Sequence, residues 1–471
     1  MANPRATPLS TRKRLFMLAG VLLCTAVLLE GVLQLAAAAS PRVRVLLSPA
    51  WSPLRRAAAT PSVAPSMPDA LLGHRPNSAY PGHDARGFRN PEAISTAAIV
   101  ALGDSHTYGA NVAPELTWTR RLAERCGESV YNMAFGGYGP AHALTLLPEA
   151  LELKPRIILV GVYSGNDLYD CFNLINERKT HAELASDDPA VRARIAAAEA
   201  ALPMKQKIDA IWQELYGDLL GPTEACASDA LTDSSPDVPT GISFADCQPT
   251  EIPPFGPRRL VSEYSKLYGL ARAAKDFVCD ASVDEKRRTI QRWARAKKQA
   301  AGLPHQCVVF EVDGARTILT PRIRLAALDW DDPRIAEGFR VASRSLDEIR
   351  DQAAAAGARV VVVFLPTKEY VFENLVRESG QRIGSEYQHL IAAENRLWKE
   401  MRRELTAFGI ECVDTVPALR EALRAGRHPY PEDRDGHPSA AGHEVIAQVV
   451  FEALSAESSA TSAREIDLGS P

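Results

Sequence analysis

The stretches RIILVGVY (156–163) and RVVVVFL (359–365) are the strongest constraint on the fold. Neither alternates apolar with polar residues, so each reads as a strand buried on both faces. AAIVALG (97–103), SVYNMAF (129–135) and the short IECV (410–413) extend the series. Between them lie segments of helical spacing: LTWTRRLAERC, GPAHALTLLPEALEL with a proline interruption, IAEGFRVASRSLDEIRDQAAAAG, EYQHLIAAENRLWKEMRRELTAFG and a closing helix from Ala440. Strands that alternate with helices predict an α/β fold with a mainly parallel sheet covered on both faces. No internal repeat is present.

Residues 171–329 break this rhythm. They mix helical pieces with a loop rich in Asp, Ser, Pro and Cys. A structureless connection of that length is improbable inside a domain, so a largely helical insertion or cap is expected there. The chain then divides into a sheet-forming domain over 69–170, the insertion over 171–329, and the rest of that domain over 330–455. A Pro/Ala-rich linker is expected over 40–68 and a disordered, solvated tail over 456–471.

Ahead of the linker stands a basic segment, 1–14, with Arg5, Arg12, Lys13 and Arg14. It precedes an apolar run over 15–39 that contains a single charge, Glu30. That run is long enough to cross a bilayer, which needs roughly 20 residues. Its basic flank should stay in the cytoplasm, which places the remainder of the chain outside. A retained transmembrane anchor gives an inner-membrane protein with its large domain in the periplasm or extracellular space. The small residues before Ser40 leave open a cleaved signal and a secreted protein. Of eight cysteines, Cys24 lies in the apolar run. Cys126, Cys171, Cys226, Cys247, Cys279, Cys307 and Cys412 would face an oxidising compartment, with at least one disulfide expected among the four over 226–307. None has metal-site spacing, so no metal and no cofactor is expected. The formal net charge of −4 supplies no basic field for nucleic acid.

In open α/β sheets, functional groups collect beyond the carboxyl ends of the strands. At those ends this chain carries GDSHTYG after the first strand, NMAFGGYGP after the second, YSGNDLYD after the third, and DGHPSAAGH before the last helix. Each alone is ordinary turn chemistry. Together they supply a nucleophile, oxyanion donors, and a base with an orienting acid.

As a set the motifs resemble the blocks of the SGNH/GDSL hydrolase superfamily. That resemblance implies a three-layer α/β/α, flavodoxin-like fold. It further implies Ser105 as nucleophile, His437 as base, Asp435 as its orienter, and an oxyanion hole made by Ser105, Gly137 and Asn166. The apolar anchor with its late Glu30, the GFRN lead-in and LPTKE are similar to the membrane-anchored bacterial branch. One departure stands out. The familiar last block is Asp-x-x-His, whereas position 434 is Arg, so the acid must be Asp435, two residues before His437. That shorter spacing resembles the alginate-type O-acetyltransferases. The insertion lies outside the minimal fold that the resemblance implies.

Among other histidines, His443 is an alternative base on the closing helix, and His106 follows the nucleophile too closely to serve it. Asp104, His106 and Lys368 are candidate pocket residues, with an ordinary Lys368–Glu369 ion pair as the plain alternative. The functional expectation is a serine esterase that removes an O-acyl group, O-acetyl foremost, from an extracytoplasmic glycan or lipid. The alternatives are a carbohydrate O-acetyltransferase that uses the same triad and an inactive carbohydrate-binding protein. The membrane is a partner through the N-terminal helix; oligomeric state is left open.

Overall fold

A computed structural model describes residues 11–48, 63–217, 261, 263–272, 285–312 and 314–467. The chain separates into two compact units. One holds residues 1–62 and 249–290; the other holds 63–248 and 291–471.

The larger unit begins with an antiparallel hairpin, β1 (Ser66–Asp69) and β2 (Gly73–Pro76). Its turn is closed by Asp69, whose Oδ1 accepts from the N–H groups of Leu71 and Leu72, each at 2.9 Å. The central sheet contains β3 (Ile99–Leu102), β4 (Val130–Asn132), β5 (Ile157–Tyr163), β8 (Arg359–Leu365) and β9 (Glu411–Asp414). All five are parallel, in the order β4-β3-β5-β8-β9. A second hairpin pairs β6 (Val308–Val312) with β7 (Ala315–Leu319).

Strand periodicity sorts the side chains onto two faces. Val100, Leu102, Val160 and Val362 pack against helices Pro140–Glu152, Pro333–Ala355 and Ser385–Phe408. Ile99, Leu159, Val361 and Val413 pack against helices Trp118–Cys126, Lys368–Ser379, Val416–Arg424 and the start of Ala440–Asp467. The sheet is therefore covered on both sides, which is why its strands need no polar face. Its winding reverses between β3 and β5, and the crevice beyond their carboxyl ends is where such sheets build sites.

Three boundaries differ from the sequence expectation. Residues 171–217 and 291–329 of the expected insertion share the main core: Leu174, Met204, Leu215, Trp293 and Ala296 belong to the same buried cluster as Val160 and Val362. Besides helices Pro189–Ala201, Met204–Tyr216 and Glu285–Ala301, the insertion contains the β6–β7 hairpin. The tail expected to be disordered from residue 456 is helical to Asp467, because no Gly or Pro interrupts it before Gly469. The 40–68 linker includes a helix, Pro41–Leu47, and most of β1. Cys226, Cys247 and Cys279, on which the disulfide expectation rests, lie outside the described residues.

The smaller unit is built on the long helix Thr11–Ala39, whose Leu15–Ala39 portion is apolar and long enough to cross a membrane. Phe16, Leu22, Leu28, Val32 and Leu35 all point outward and are exposed.

Candidate active site

Four buried stretches converge at the carboxyl edge of the sheet, and each lets one residue partly through to solvent. Within 99–109 it is Ser105; within 131–144, Gly137; within 157–172, Asn166; and within 434–438, His437. The four partly exposed residues, set in otherwise buried stretches, mark this edge as the candidate site.

Ser105 begins a short helix, Ser105–Tyr108, straight after β3. The turn that delivers it depends on Gly103, at φ +149, where a Cβ would sit 2.6 Å from Thr107 Oγ1. Asn132, from β4, braces the same turn by donating from Nδ2 to the Thr107 carbonyl at 2.8 Å. Asp104 caps the helix, accepting from the His106 N–H at 2.9 Å.

Ser105 Oγ lies 2.8 Å from His437 Nε2, and His437 Nδ1 lies 2.6 Å from Asp435 Oδ1. With Nδ1–H donating a hydrogen bond to the carboxylate, Nε2 is left to accept the serine hydroxyl proton. The same Oδ1 accepts from the His437 N–H at 2.9 Å, so the two-residue spacing closes a local turn. Burial raises the Asp435 carboxyl, but His437 and then Lys368 outweigh it, and its pKa falls below the ordinary value.

The loop that carries this pair is held from three directions. Lys368, fully buried at the start of its helix, donates from Nζ to the carbonyls of Asp433 at 2.7 Å and Asp435 at 2.8 Å. It is therefore not the simple partner of Glu369, whose Oε1 accepts from the Thr320 N–H at 2.7 Å. Burial pushes the Lys368 ammonium below its usual range, against the pull of Glu369, Asp433 and Asp435. Asp433 Oδ1 accepts from the Asp435 N–H at 2.9 Å. Arg434 turns away from the site: its Nη1 donates to the Leu215 carbonyl, and its own carbonyl accepts from Tyr216 Oη at 3.2 Å. The residue that interrupts the familiar Asp-x-x-His pattern thus ties the loop to the insertion helix Met204–Tyr216.

Of the candidate oxyanion donors, the N–H groups of Ser105 and Gly137 meet no acceptor among the described residues. Asn166 sits at the start of helix Asp167–Asn173, and its Nδ2 donates to Asp170 Oδ2 at 2.5 Å. An amide nitrogen carries two protons, so this bond engages only one of them.

His106 is buried and stacks on Tyr163 with ring centroids 3.5 Å apart. Its Nδ1 lies 3.1 Å from Asp104 Oδ2 and its Nε2 3.3 Å from the Gly436 carbonyl. It packs beneath the loop that carries His437 rather than lining an open pocket, and burial lowers its pKa. Asp104 is fully buried, with Oδ2 at 3.4 Å from Ser105 Oγ. His443 is also fully buried: its Nδ1 accepts from the Trp118 N–H at 3.2 Å, and burial drives its pKa to about 3. It acts as a packing residue.

Sequence reasoning missed His74, whose Nε2 lies 2.9 Å from the Gly136 carbonyl and whose own carbonyl accepts from Tyr138 Oη at 2.7 Å. The first hairpin thereby supports the glycine turn, and no local pattern marks that role. It also missed Arg324, positioned over the Tyr163 ring at 5.7 Å. Burial opposes the Arg324 charge, yet Tyr163, Tyr216, Glu369 and Asp435 hold its pKa above the ordinary value.

Compared with known proteins, the chain matches no family model and no curated protein.

Proposed function

We propose that the protein is a serine esterase of the SGNH/GDSL type on a flavodoxin-like three-layer fold, with Ser105 as nucleophile. The observation that carries the reading is the chain of contacts from Ser105 Oγ through His437 to Asp435, at 2.8 Å and 2.6 Å, opening at the switch point of the sheet. Ser105 Oγ attacks the carbonyl carbon of an ester while His437 Nε2 takes its proton. The oxyanion is met by the N–H groups of Ser105 and Gly137 and the Asn166 amide, and His437 then protonates the leaving alcohol. Water, activated by the same imidazole, attacks the acyl-enzyme and releases the acid. The substrate is an O-acylated, foremost O-acetylated, glycan or lipid outside the cytoplasm. The basic flank and apolar helix support an anchored protein with this site on the far side of the inner membrane.

Two sequence features favour a second reading, a carbohydrate O-acetyltransferase. The Asp435-x-His437 spacing and the LPTKE strand end are similar to the alginate-type transferases. In that case a sugar hydroxyl replaces water at the acyl-enzyme. Partition of acetyl groups from a chromogenic acetyl ester separates the two. Hydrolysis unaffected by added oligosaccharide supports the esterase. Acetylated oligosaccharide in the mass spectrum supports the transferase, and no turnover or acyl-enzyme at all contradicts both.

A further inference from the structure

The smaller unit contains an arrangement that the chemistry above does not use. Measured from Leu15 at about 1.5 Å per residue, Glu30 lies about 22 Å and Gln34 about 28 Å along the apolar helix. The hydrocarbon core of a bilayer is about 30 Å thick, so both side chains stand within or at the outer edge of that layer. Val32 and Leu35 beside them are 61% and 72% exposed, so the helix still presents apolar side chains outward at this level. A lone carboxylate at this depth is unfavourable.

Glu30 is not alone. Its Oε2 accepts from Leu267 N–H at 2.8 Å and Ser265 Oγ at 3.0 Å; its Oε1 accepts from Lys266 N–H and Gln34 Nε2, both at 2.7 Å. Gln34 Nε2 also donates to the Tyr264 carbonyl at 2.7 Å. Further along, Gly269 passes so close to the Leu47 carbonyl that any Cβ would collide with it. The backbone of this part of the insertion is therefore fastened to the apolar helix at the depth of Glu30 and Gln34. Its outward side chains are large and unshielded: Tyr264 is 70% exposed, with Val261, Tyr268 and Leu270 beside it. Tyrosines in such a place are the residues that favour the headgroup layer.

We propose that residues 261 and 263–272 form an interfacial collar at the outer boundary of the bilayer, where hydrocarbon meets headgroups, with Val261, Tyr264 and Tyr268 against lipid. The proposal rests on reading Leu15–Ala39 as a retained anchor. Lipid is the occupant because the collar is bonded to the membrane-crossing helix where that helix still exposes Val32 and Leu35.

The test uses the full chain in phosphatidylcholine vesicles whose acyl chains carry bromine either near the headgroup or near the bilayer centre. Tyr264→Trp should add fluorescence that falls about twofold in the shallow-brominated lipid and less in the deep one, relative to the parent chain. Adding Glu30→Ala, or separately Gly269→Leu, should abolish that quenching while the chain stays in carbonate-washed membranes. A carbonate-resistant chain whose added tryptophan is unquenched in both lipids overturns the collar and leaves the anchor standing. So does blue-shifted, unquenched emission that changes on dilution with lipid, which would mean a second copy covers the patch. A chain recovered without residues 1–39, or released by carbonate, overturns anchor and collar together.

Discussion

The molecule contains the same local device twice, side by side. Asp104-Ser-His106 and Asp435-Gly-His437 each use a carboxylate to accept from the backbone N–H two residues on, at 2.9 Å in both cases. Each also holds the Nδ1 of that histidine, at 3.1 Å and 2.6 Å. What differs is the far nitrogen. His106 Nε2 faces the Gly436 carbonyl, buried and stacked on Tyr163, while His437 Nε2 faces a serine hydroxyl with its side chain 20% exposed. An Asp-x-His turn is thus a way to orient an imidazole, and the neighbour of Nε2 decides whether the result is a base or a packing element.

The largest effect that sharpens this contrast is His437→Ala, expected to lower kcat roughly 10⁴- to 10⁶-fold with little change in melting temperature. His106→Ala should do the reverse: a buried ring lost from a packed site lowers the melting temperature, and the folded fraction keeps kcat within about tenfold. Steady-state rates and thermal melts on the two variants decide it, and equal rate losses would erase the distinction.

Asn166→Ala should follow, with kcat reduced about 10²- to 10³-fold, similar KM and near-normal melting, since the donor serves charge that exists only in the transition state. Early melting with normal turnover would make Asn166 a scaffold residue instead. Lys368→Met removes the ammonium that holds two carbonyls of the loop that supplies His437. A fall of about 10- to 100-fold in kcat with unchanged KM is expected, because loosening a base costs rate more than binding. A stability loss alone would reduce Lys368 to packing.

The smallest effect concerns the floor of the site. Glu394 accepts from Ser164 Oγ at 2.5 Å, Thr367 N–H at 2.9 Å and Thr367 Oγ1 at 2.6 Å, which links the Asn166 loop to the Lys368 helix. Burial lifts its pKa from the ordinary 4.5 to about 7 in spite of these donors. A carboxyl raised on folding favours the folded state below its unfolded pKa, and that contribution is lost as pH rises from 4.5 toward 7. The change is on the order of 3 kcal/mol at most. Glu394→Gln should therefore flatten the pH dependence of denaturant midpoints over that interval; an unchanged slope would mean Glu394 is not the titrating group.

The parallel sheet was legible because burial on both faces leaves an unbroken apolar signature, as in RVVVVFL. That Ser105 would stand at the sheet edge was legible for a related reason, since a turn residue at the end of such a strand has few places to be; that His437 would meet it rested on the motif before the last helix. The β6–β7 hairpin was missed although Asp313-Gly314, between the VVFEV and ARTIL runs, is a hairpin signal, because helical pieces on either side dominated the reading. Lys368 could be singled out by its position at a strand end, but its contacts lie 65 and 67 residues away, beyond any local pattern. His74 and Glu394 act across similar or greater separations and left no trace in periodicity.

Covalent capture tests the central claim most directly. The wild-type protein, mixed with a chromogenic acetyl ester and quenched with acid, should carry one added acetyl group on the peptide that contains Ser105, and Ser105→Ala should carry none while melting normally. An acetyl group found elsewhere, or undiminished turnover by Ser105→Ala, would contradict the assignment of Ser105 as the nucleophile.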